Sequence, residues 1–306
     1  MHLNAALAIL AASRVALAAP AADEVKVNPA LRLIKTSEAD AGVWVTEEQK
    51  IENYVNKHIG FFDITDITDE EVLAVLSTPP EAALEARQAV TYPTTLSHVS
   101  EANTLIARVS NTQPQSWLKT LTDFYNRYYL STYGTQSATW LFNQVKSVAA
   151  VNSAITALRV LANAGFKPKN TLEFHFYAAE EAGLRGSSAI FSNYKAAGKR
   201  VLGFVNQDMA GYSPSGRVSV YNDYVDTALS NYVRLVATQY TGLAPTSDTC
   251  GYGCSDHAAA RSNGFPYSHF DPVHPHPNDS YDTIQWPAIL RHSKFTVGFL
   301  VEASYL

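Results

Sequence analysis

Glu180 and Glu181 follow directly on Leu172-Glu-Phe-His-Phe-Tyr-Ala178, whose alternation predicts a strand over 172–178. Asp208 stands in the same relation to the apolar run 201–209, within Asn206-Gln207-Asp208-Met209. In an open α/β sheet, ligands bind outside the carboxyl ends of the strands. A carboxylate placed there is costly to bury unless it is paired or bound to metal. Singly, each of these acids is as readily a solvated loop residue. Together they point to a hard or borderline cation held by oxygen, with histidine close by. Two later runs supply histidine: Cys250-Gly-Tyr-Gly-Cys-Ser-Asp-His257 and Val273-His-Pro-His-Pro-Asn-Asp-Ser-Tyr-Asp-Thr283. His274 and His276 are metal candidates by type, although histidines between prolines are as readily idle at a surface.

The elements that must position these groups can be read from periodicity. Val45 to Ile59 has a helical pattern, and 96–151 reads as mostly helical. Trp117, Leu118, Leu121, Phe124, Tyr125 and Tyr128 follow helical spacing there, as a core-facing stripe does. A helix is predicted over 153–164, stopped by Gly165 and followed by Pro168. Further helices are expected over 186–197, 226–240 and 286–303, and a short strand over 217–221. Strands alternating with helices predict an α/β sandwich with a largely parallel sheet.

The chain has 306 residues and a net charge of −5, which gives nucleic-acid binding no electrostatic support. Residues 1–88 carry 14 acidic and 7 basic side chains, against 14 and 16 in the remainder. From Ala5 to Ala19 the chain is mostly apolar and small. That run is too short to span a bilayer, and Ala16-Leu17-Ala18 suits signal-peptidase cleavage, so a secreted protein is expected. An acidic module behind a signal suggests a propeptide, and composition alone allows a solvated subdomain equally. Cys250 and Cys254 can close a small loop in an exported protein or remain as two buried thiols.

The runs Tyr177-Ala-Ala-Glu-Glu-Ala-Gly-Leu-Arg-Gly186, Gln207-Asp-Met-Ala-Gly-Tyr212 and Cys250-Gly-Tyr-Gly-Cys-Ser-Asp-His257 closely resemble, in order as well as content, the extracellular leucine aminopeptidases of the M28 peptidase family. Arg32-Leu-Ile-Lys-Thr-Ser-Glu38, Trp44-Val-Thr-Glu-Glu-Gln49 and Gly60-Phe-Phe-Asp-Ile-Thr-Asp66 resemble the propeptides of the fungal members, and Phe124-Tyr-Asn-Arg-Tyr-Tyr129 the early part of their mature enzyme. The resemblance implies a zinc-exopeptidase-like sandwich: a mostly parallel central sheet flanked by helices and preceded by a propeptide. It implies a signal over 1–18, a propeptide over 19–88 and an enzyme domain over 89–306. It further implies two zinc ions and peptide substrates; a monomer is expected, and the charge and the lack of a later segment of membrane-spanning length lead to no expected nucleic-acid or membrane partner. Glu180 matches the general base, Glu181 and Asp208 match zinc ligands, Met209 and Tyr252 fall in the pocket for the N-terminal side chain, and Cys250 and Cys254 match a disulfide.

Two departures matter. The family carries a His-x-Asp element before the Glu-Glu pair, which supplies one zinc ligand and the carboxylate bridging both metals. Nothing of the kind lies between Ser137 and Leu172. Val148-Ala-Ala-Val-Asn-Ser153 resembles the sequence before that region, and Ala157-Leu-Arg-Val-Leu161 the helix after it. Several tens of residues are therefore expected to be missing near 151–157, core strands among them, which leaves the sheet incomplete. The family's last histidine ligand lies four residues before the Asp of Asp-Thr, where this chain has Asn278. A short deletion would bring His276 into the role, or otherwise His274. Asn278-Asp-Ser280 is also an N-glycosylation sequon, and His257 is expected to support the site rather than to ligate. The expectation is a secreted zinc aminopeptidase whose metal centre is deficient in this chain. Two alternatives stand beside it: a non-catalytic secreted remnant, and a zinc acyltransferase of the glutaminyl-cyclase kind. The adjacent Glu180-Glu181 and the propeptide favour the peptidase.

Overall fold

A computed structural model describes residues 31–37, 40–57, 59–67, 90–146, 152–251, 253–270 and 280–306. The expected signal cleavage site, the boundary at 88–89, Tyr252, His274, His276 and Asn278 lie outside the described residues.

The N-terminal part forms a small antiparallel sheet ordered β2-β1-β3, from β1 (Leu31–Lys35), β2 (Val43–Thr46) and β3 (Phe62–Asp63). Thr46 then caps α1 (Glu47–Lys50) by a capping box with Gln49, and the helix widens into a π-turn over Ile51–Val55. The helix expected from Val45 thus starts two residues later, behind a strand. Its last residue, Lys50, is fully buried. The ammonium meets Glu47 Oε2 at 2.8 Å, Asp63 Oδ2 at 3.3 Å and the Tyr129 hydroxyl at 3.2 Å, so its three donors are all used. Burial alone would raise the Asp63 carboxyl, but Arg32, Thr65 and Lys50 hold it below the usual carboxylate range.

The larger part has a four-stranded sheet ordered β4-β7-β5-β6, built from β4 (Phe204–Gln207), β5 (Ser219–Tyr221), β6 (Thr246–Asp248) and β7 (Tyr267–Phe270). β4 with β7 and β5 with β6 are parallel; β5 with β7 is antiparallel. Around it lie α2 (Val99–Ile106), α3 (Thr112–Thr122), α4 (Thr132–Lys146), α5 (Asn152–Asn163), α6 (Arg185–Ala196), α7 (Thr227–Thr241), α8 (His257–Ser262) and α9 (Trp286–Ala303). α9 is apolar around most of its circumference, as a helix buried on all sides must be, and it packs against α2, α5 and α7. Phe295 on α9 stacks on Phe270 of β7 with ring centroids 3.9 Å apart. Glu302 near its end accepts from the Ser97 and His98 amides and, at 2.6 Å, from the Tyr240 hydroxyl. No helix among the described residues is long and apolar enough to cross a membrane.

Two expectations need correction. The aromatic run does not continue one helix to Tyr128. α3 ends at Thr122, and Tyr125 is 85% exposed, so the spacing there reflects no buried stripe. More consequentially, 172–178 is no ladder strand. The chain is extended there and its side chains alternate: Leu172 and Phe174 join the main core, Phe176 packs with Trp117 and Ile155, and Tyr177 joins the cluster around Phe191. Yet it pairs with no strand among the described residues. Alternation fixes which face a side chain takes, whereas a ladder needs a neighbour at about 4.8 Å. Between this stretch and β4 lies a cavity of about 1100 Å³.

Gly298 sets how closely α9 approaches α7. A Cβ there would fall 2.1 Å from the Tyr240 ring, which the bond to Glu302 holds in place. Gly298→Ala should therefore lower stability by about 1–3 kcal/mol through overpacking, although alanine is the better helix former by about 1 kcal/mol. Urea midpoints decide it: an unchanged or raised midpoint would mean that the helices shift at no cost.

Candidate functional site

Past Tyr177 the chain enters a tight turn that presents Glu180. The Gly183 and Leu184 amides donate to the Glu180 carbonyl at 3.0 and 2.9 Å, and Arg185 and Gly186 close back on Ala179 and Ala178. The turn places Ala179 and Leu184 at φ +60 and +57. Such non-glycine conformations persist only where surrounding structure imposes them. Gly186 is required because a Cβ would lie 2.6 Å from the Ala178 carbonyl oxygen. The turn is also braced from the N-terminal sheet. The Asp63 amide donates to the Gly183 carbonyl at 3.1 Å, Arg185 donates to the Tyr129 hydroxyl at 3.0 Å, and Arg185 pairs with Asp66.

Asp208 follows immediately on β4. Its Oδ1 accepts from the Met209 amide and its Oδ2 from Ser255 Oγ, both at 2.8 Å. Met209 is bent to φ +45, so of the four non-glycine residues with positive φ among the described residues, three lie beside Glu180 or Asp208. Asn206 Nδ2 donates to Ser255 Oγ at 2.8 Å and lies 3.1 Å from His269 Nδ1. His257 stacks on His269 with centroids 4.4 Å apart. Both rings are buried. Desolvation pushes His257 well below its usual value, helped by His269 and Arg261, and brings His269 to about 4 against the pull of Asp208 and Asp223.

The carboxylates repel one another. Burial lifts Glu180 well above the usual range, and Asp208, Glu181 and Asp256 lift it further. Burial likewise pushes Asp256 up to about 7, opposed by a hydrogen bond from Ser187 and reinforced by Asp208. Asp256 Oδ1 is buried without a partner. Such a group of acids either keeps protons or takes up a cation, and a raised carboxyl is suited to moving a proton near neutral pH.

The fold thus brings Glu180 into electrostatic contact with Glu181 and Asp208. Met209 and Asp208 line one end of the cavity. Cys250 and Cys254 form a disulfide with Cα atoms 6.2 Å apart, and Asp223 accepts from the Cys250 and Gly251 amides. Asp256, Ser255 and Asn206 were not among the expected site residues, although each lies within a run quoted above. Their neighbours in space, not in sequence, give them their roles. Whether these residues suit a zinc pair can be judged from donor chemistry. A catalytic zinc takes three protein ligands. Among the described residues no group of three or more His, Cys, Asp or Glu is placed to hold a metal ion. Both Asp208 oxygens already accept hydrogen bonds. The described residues do not fit a two-zinc centre.

Comparison with known proteins agrees with the motif reading. The sequence profile of peptidase family M28 matches residues 148–300. Leucine aminopeptidase 1 of Arthroderma otae is 34% identical over 342 aligned positions, covering 85% of this chain and 88% of the relative. Leucine aminopeptidase 1 of Paracoccidioides brasiliensis is 30% identical over 395 positions, covering 100% and 99%. As 85% of 306 residues is about 260, some 82 of the first alignment's 342 positions hold no residue of this chain; in the second, 395 positions accommodate 306 residues, leaving about 89. In fold, the chain is similar to the LapA aminopeptidase of Legionella pneumophila, with a TM-score of 0.72 at 19% identity over 91% of this chain and 95% of that one.

The Asp256 carboxyl yields a pH signature. Its folded value, about 7, exceeds its ordinary value of 3.8. Its contribution to stability is therefore fully present below about 4 and is lost as pH rises through 7. Asp256→Asn removes that dependence. In chelator, the stability of the variant relative to the native chain should rise between pH 4 and 7, by on the order of a few kcal/mol at most, and level off above. Parallel stability curves would place the Asp256 carboxyl in water.

Proposed function

The chain belongs to peptidase family M28, and from that premise we propose that it is a secreted aminopeptidase precursor whose metal centre is deficient. Residues 1–18 serve as signal, 19–88 as propeptide and 89–306 as the domain whose scaffold releases N-terminal leucine-type residues from peptides. Glu180 is the proton acceptor, Glu181, Asp208 and His276 are the remaining zinc ligands, and Met209 and Tyr252 contact the N-terminal side chain of the substrate.

The observation that carries this reading is the gathering of Glu180, Asp208 and Asp256 at one end of the sheet. A raised, buried carboxyl beside further acids suits proton transfer at a cation. The missing third ligand among the described residues, with the 82 and 89 alignment positions lacking a residue here, supports a deficient centre. A zinc with one or two protein ligands is weakly held, and a lone metal cannot clamp both reacting oxygens. The same observation favours, as second reading, a secreted remnant without catalysis.

Secreted protein is purified, its N-terminus sequenced, its zinc measured after dialysis and its turnover of a leucine anilide assayed. The expected result is a chain starting near Ala89, with zinc well below two per chain and little or no turnover. Two tightly held zinc ions with rapid turnover would mean that unrecognised ligands replace the absent pair. An N-terminus near Ala19 on active protein would remove the propeptide from the account.

A further inference from the structure

Alternation puts Glu173, His175 and Tyr177 on one side of the extended stretch, and that side faces α6. Tyr194 reaches them from α6, and Lys199 from just past its end. All five side chains line the cavity of about 1100 Å³, and none has a role in the reading above. Three donor atoms converge there. His175 Nε2 lies 3.2 Å from Glu173 Oε2 and 3.1 Å from the Tyr194 hydroxyl, and that hydroxyl also meets Glu173 Oε2 directly. Each atom is therefore a neighbour of the other two. Ligands bonded to one tetrahedral cation at about 2.0–2.1 Å stand about 3.3 Å apart, so the triangle has nearly the size of one face of a coordination sphere. The other ring nitrogen, His175 Nδ1, lies 2.7 Å from the Tyr177 hydroxyl. An outer hydrogen bond of this kind fixes the ring of a ligating histidine. Lys199 takes the second carboxylate oxygen, Glu173 Oε1, at 3.2 Å, and leaves Oε2 to the triangle.

We propose that Glu173, His175 and Tyr194 form a site for one divalent transition cation, separate from the carboxylates around Glu180. Only two of the three are the commonest ligand types; the phenol completes the set. An imidazole nitrogen beside carboxylate and phenol oxygens suits copper or zinc, whereas calcium and magnesium take oxygen alone. Copper(II) stands highest in the affinity order for such donors. The empty triangle is satisfied by two protons, one on Tyr194 and one on His175 Nε2. On binding, the Tyr194 proton leaves to solvent. The imidazole proton resides instead on Nδ1, which donates to the Tyr177 hydroxyl oxygen. The cation then faces one carboxylate and one phenolate, so its two charges are balanced. Burial and the Glu173 carboxylate raise the Tyr194 hydroxyl to about 12, so its proton leaves only when a cation replaces it. The remaining positions open on the cavity, where water can fill them. Bound metal ties the stretch 172–177, which has no ladder partner among the described residues, to α6. The site does not depend on the function proposed above.

The test uses the full folded chain, stripped with chelator and dialysed, and copper(II) alone as probe. One copper per chain should give the visible charge-transfer band of a copper phenolate. The electron paramagnetic resonance spectrum should show coupling to one imidazole nitrogen. Tyr194→Phe should abolish the band, His175→Gln should abolish the coupling, and Glu173→Gln should weaken binding by about tenfold or more. Tyr125→Phe, at a residue 85% exposed, should leave band and coupling unchanged. So should Glu181→Gln combined with Asp208→Asn. Should Tyr194→Phe not fold, the coupling in His175→Gln decides. No band at one equivalent, a band that survives Tyr194→Phe, a coupling that survives His175→Gln, or binding indifferent to Glu173→Gln would overturn the proposal and leave the cluster as a hydrogen-bonded network. Loss of the band in the combined Glu181→Gln and Asp208→Asn chain would also overturn it, by placing the copper at the carboxylate centre.

Discussion

An extended segment inside a protein needs hydrogen-bonded neighbours, because buried amide and carbonyl groups without partners are costly. The stretch 172–177 has the two faces of a core strand, with half-buried apolar side chains, but no ladder among the described residues. Much else in the molecule follows from that unmet requirement. Among the described residues, β4 pairs on one edge only, a large cavity lies beside it, and Glu180 stands at the end of a segment without a ladder partner.

The same constraint governs the chemistry. Carboxylates at strand ends are brought together by the sheet that carries them. Here Asp208 is fixed by β4, the Met209 amide and Ser255, whereas Glu180 depends on a turn braced from outside. That bracing comes from the N-terminal sheet, through the Asp63 amide and the pairing of Arg185 with Asp66 and Tyr129. The buried Lys50, satisfied by Glu47, Asp63 and Tyr129, locks the N-terminal sheet to the body beside that turn. Removing one partner of such a buried group typically costs about 3–5 kcal/mol. The N-terminal part therefore supports the turn that carries the candidate base, which a purely solvated appendage would not do.

Much of this was legible in the sequence where the determinant is local. α5, α7 and α9 lie within a residue or two of their predicted spans, because apolar periodicity, the Asp226 cap and the Gly165 stop act over a few residues. Asp208 stands at a strand end as read, and the disulfide forms. What failed was non-local. Alternation in 172–178 specified two faces correctly but could not specify a ladder partner, and no described strand supplies one. The aromatic spacing from Phe124 to Tyr128 imitates a helix after the helix has stopped. Asp256 escaped notice because its raised carboxyl arises from packing α8 against β4, although it sat in the Ser-Asp-His run already singled out.

Among the described residues no strand lies between 172–177 and β4, beside the carboxylates, and backbone hydrogen exchange tests most directly whether both segments lack a partner. In the free chain the amides of 172–177 should exchange rapidly although their apolar side chains pack against the core, and those of Val205 and Gln207 should exchange far faster than their neighbours Phe204 and Asn206, which face β7. Uniformly slow exchange across both segments would show that each already has its hydrogen-bonded neighbour, and would contradict the account.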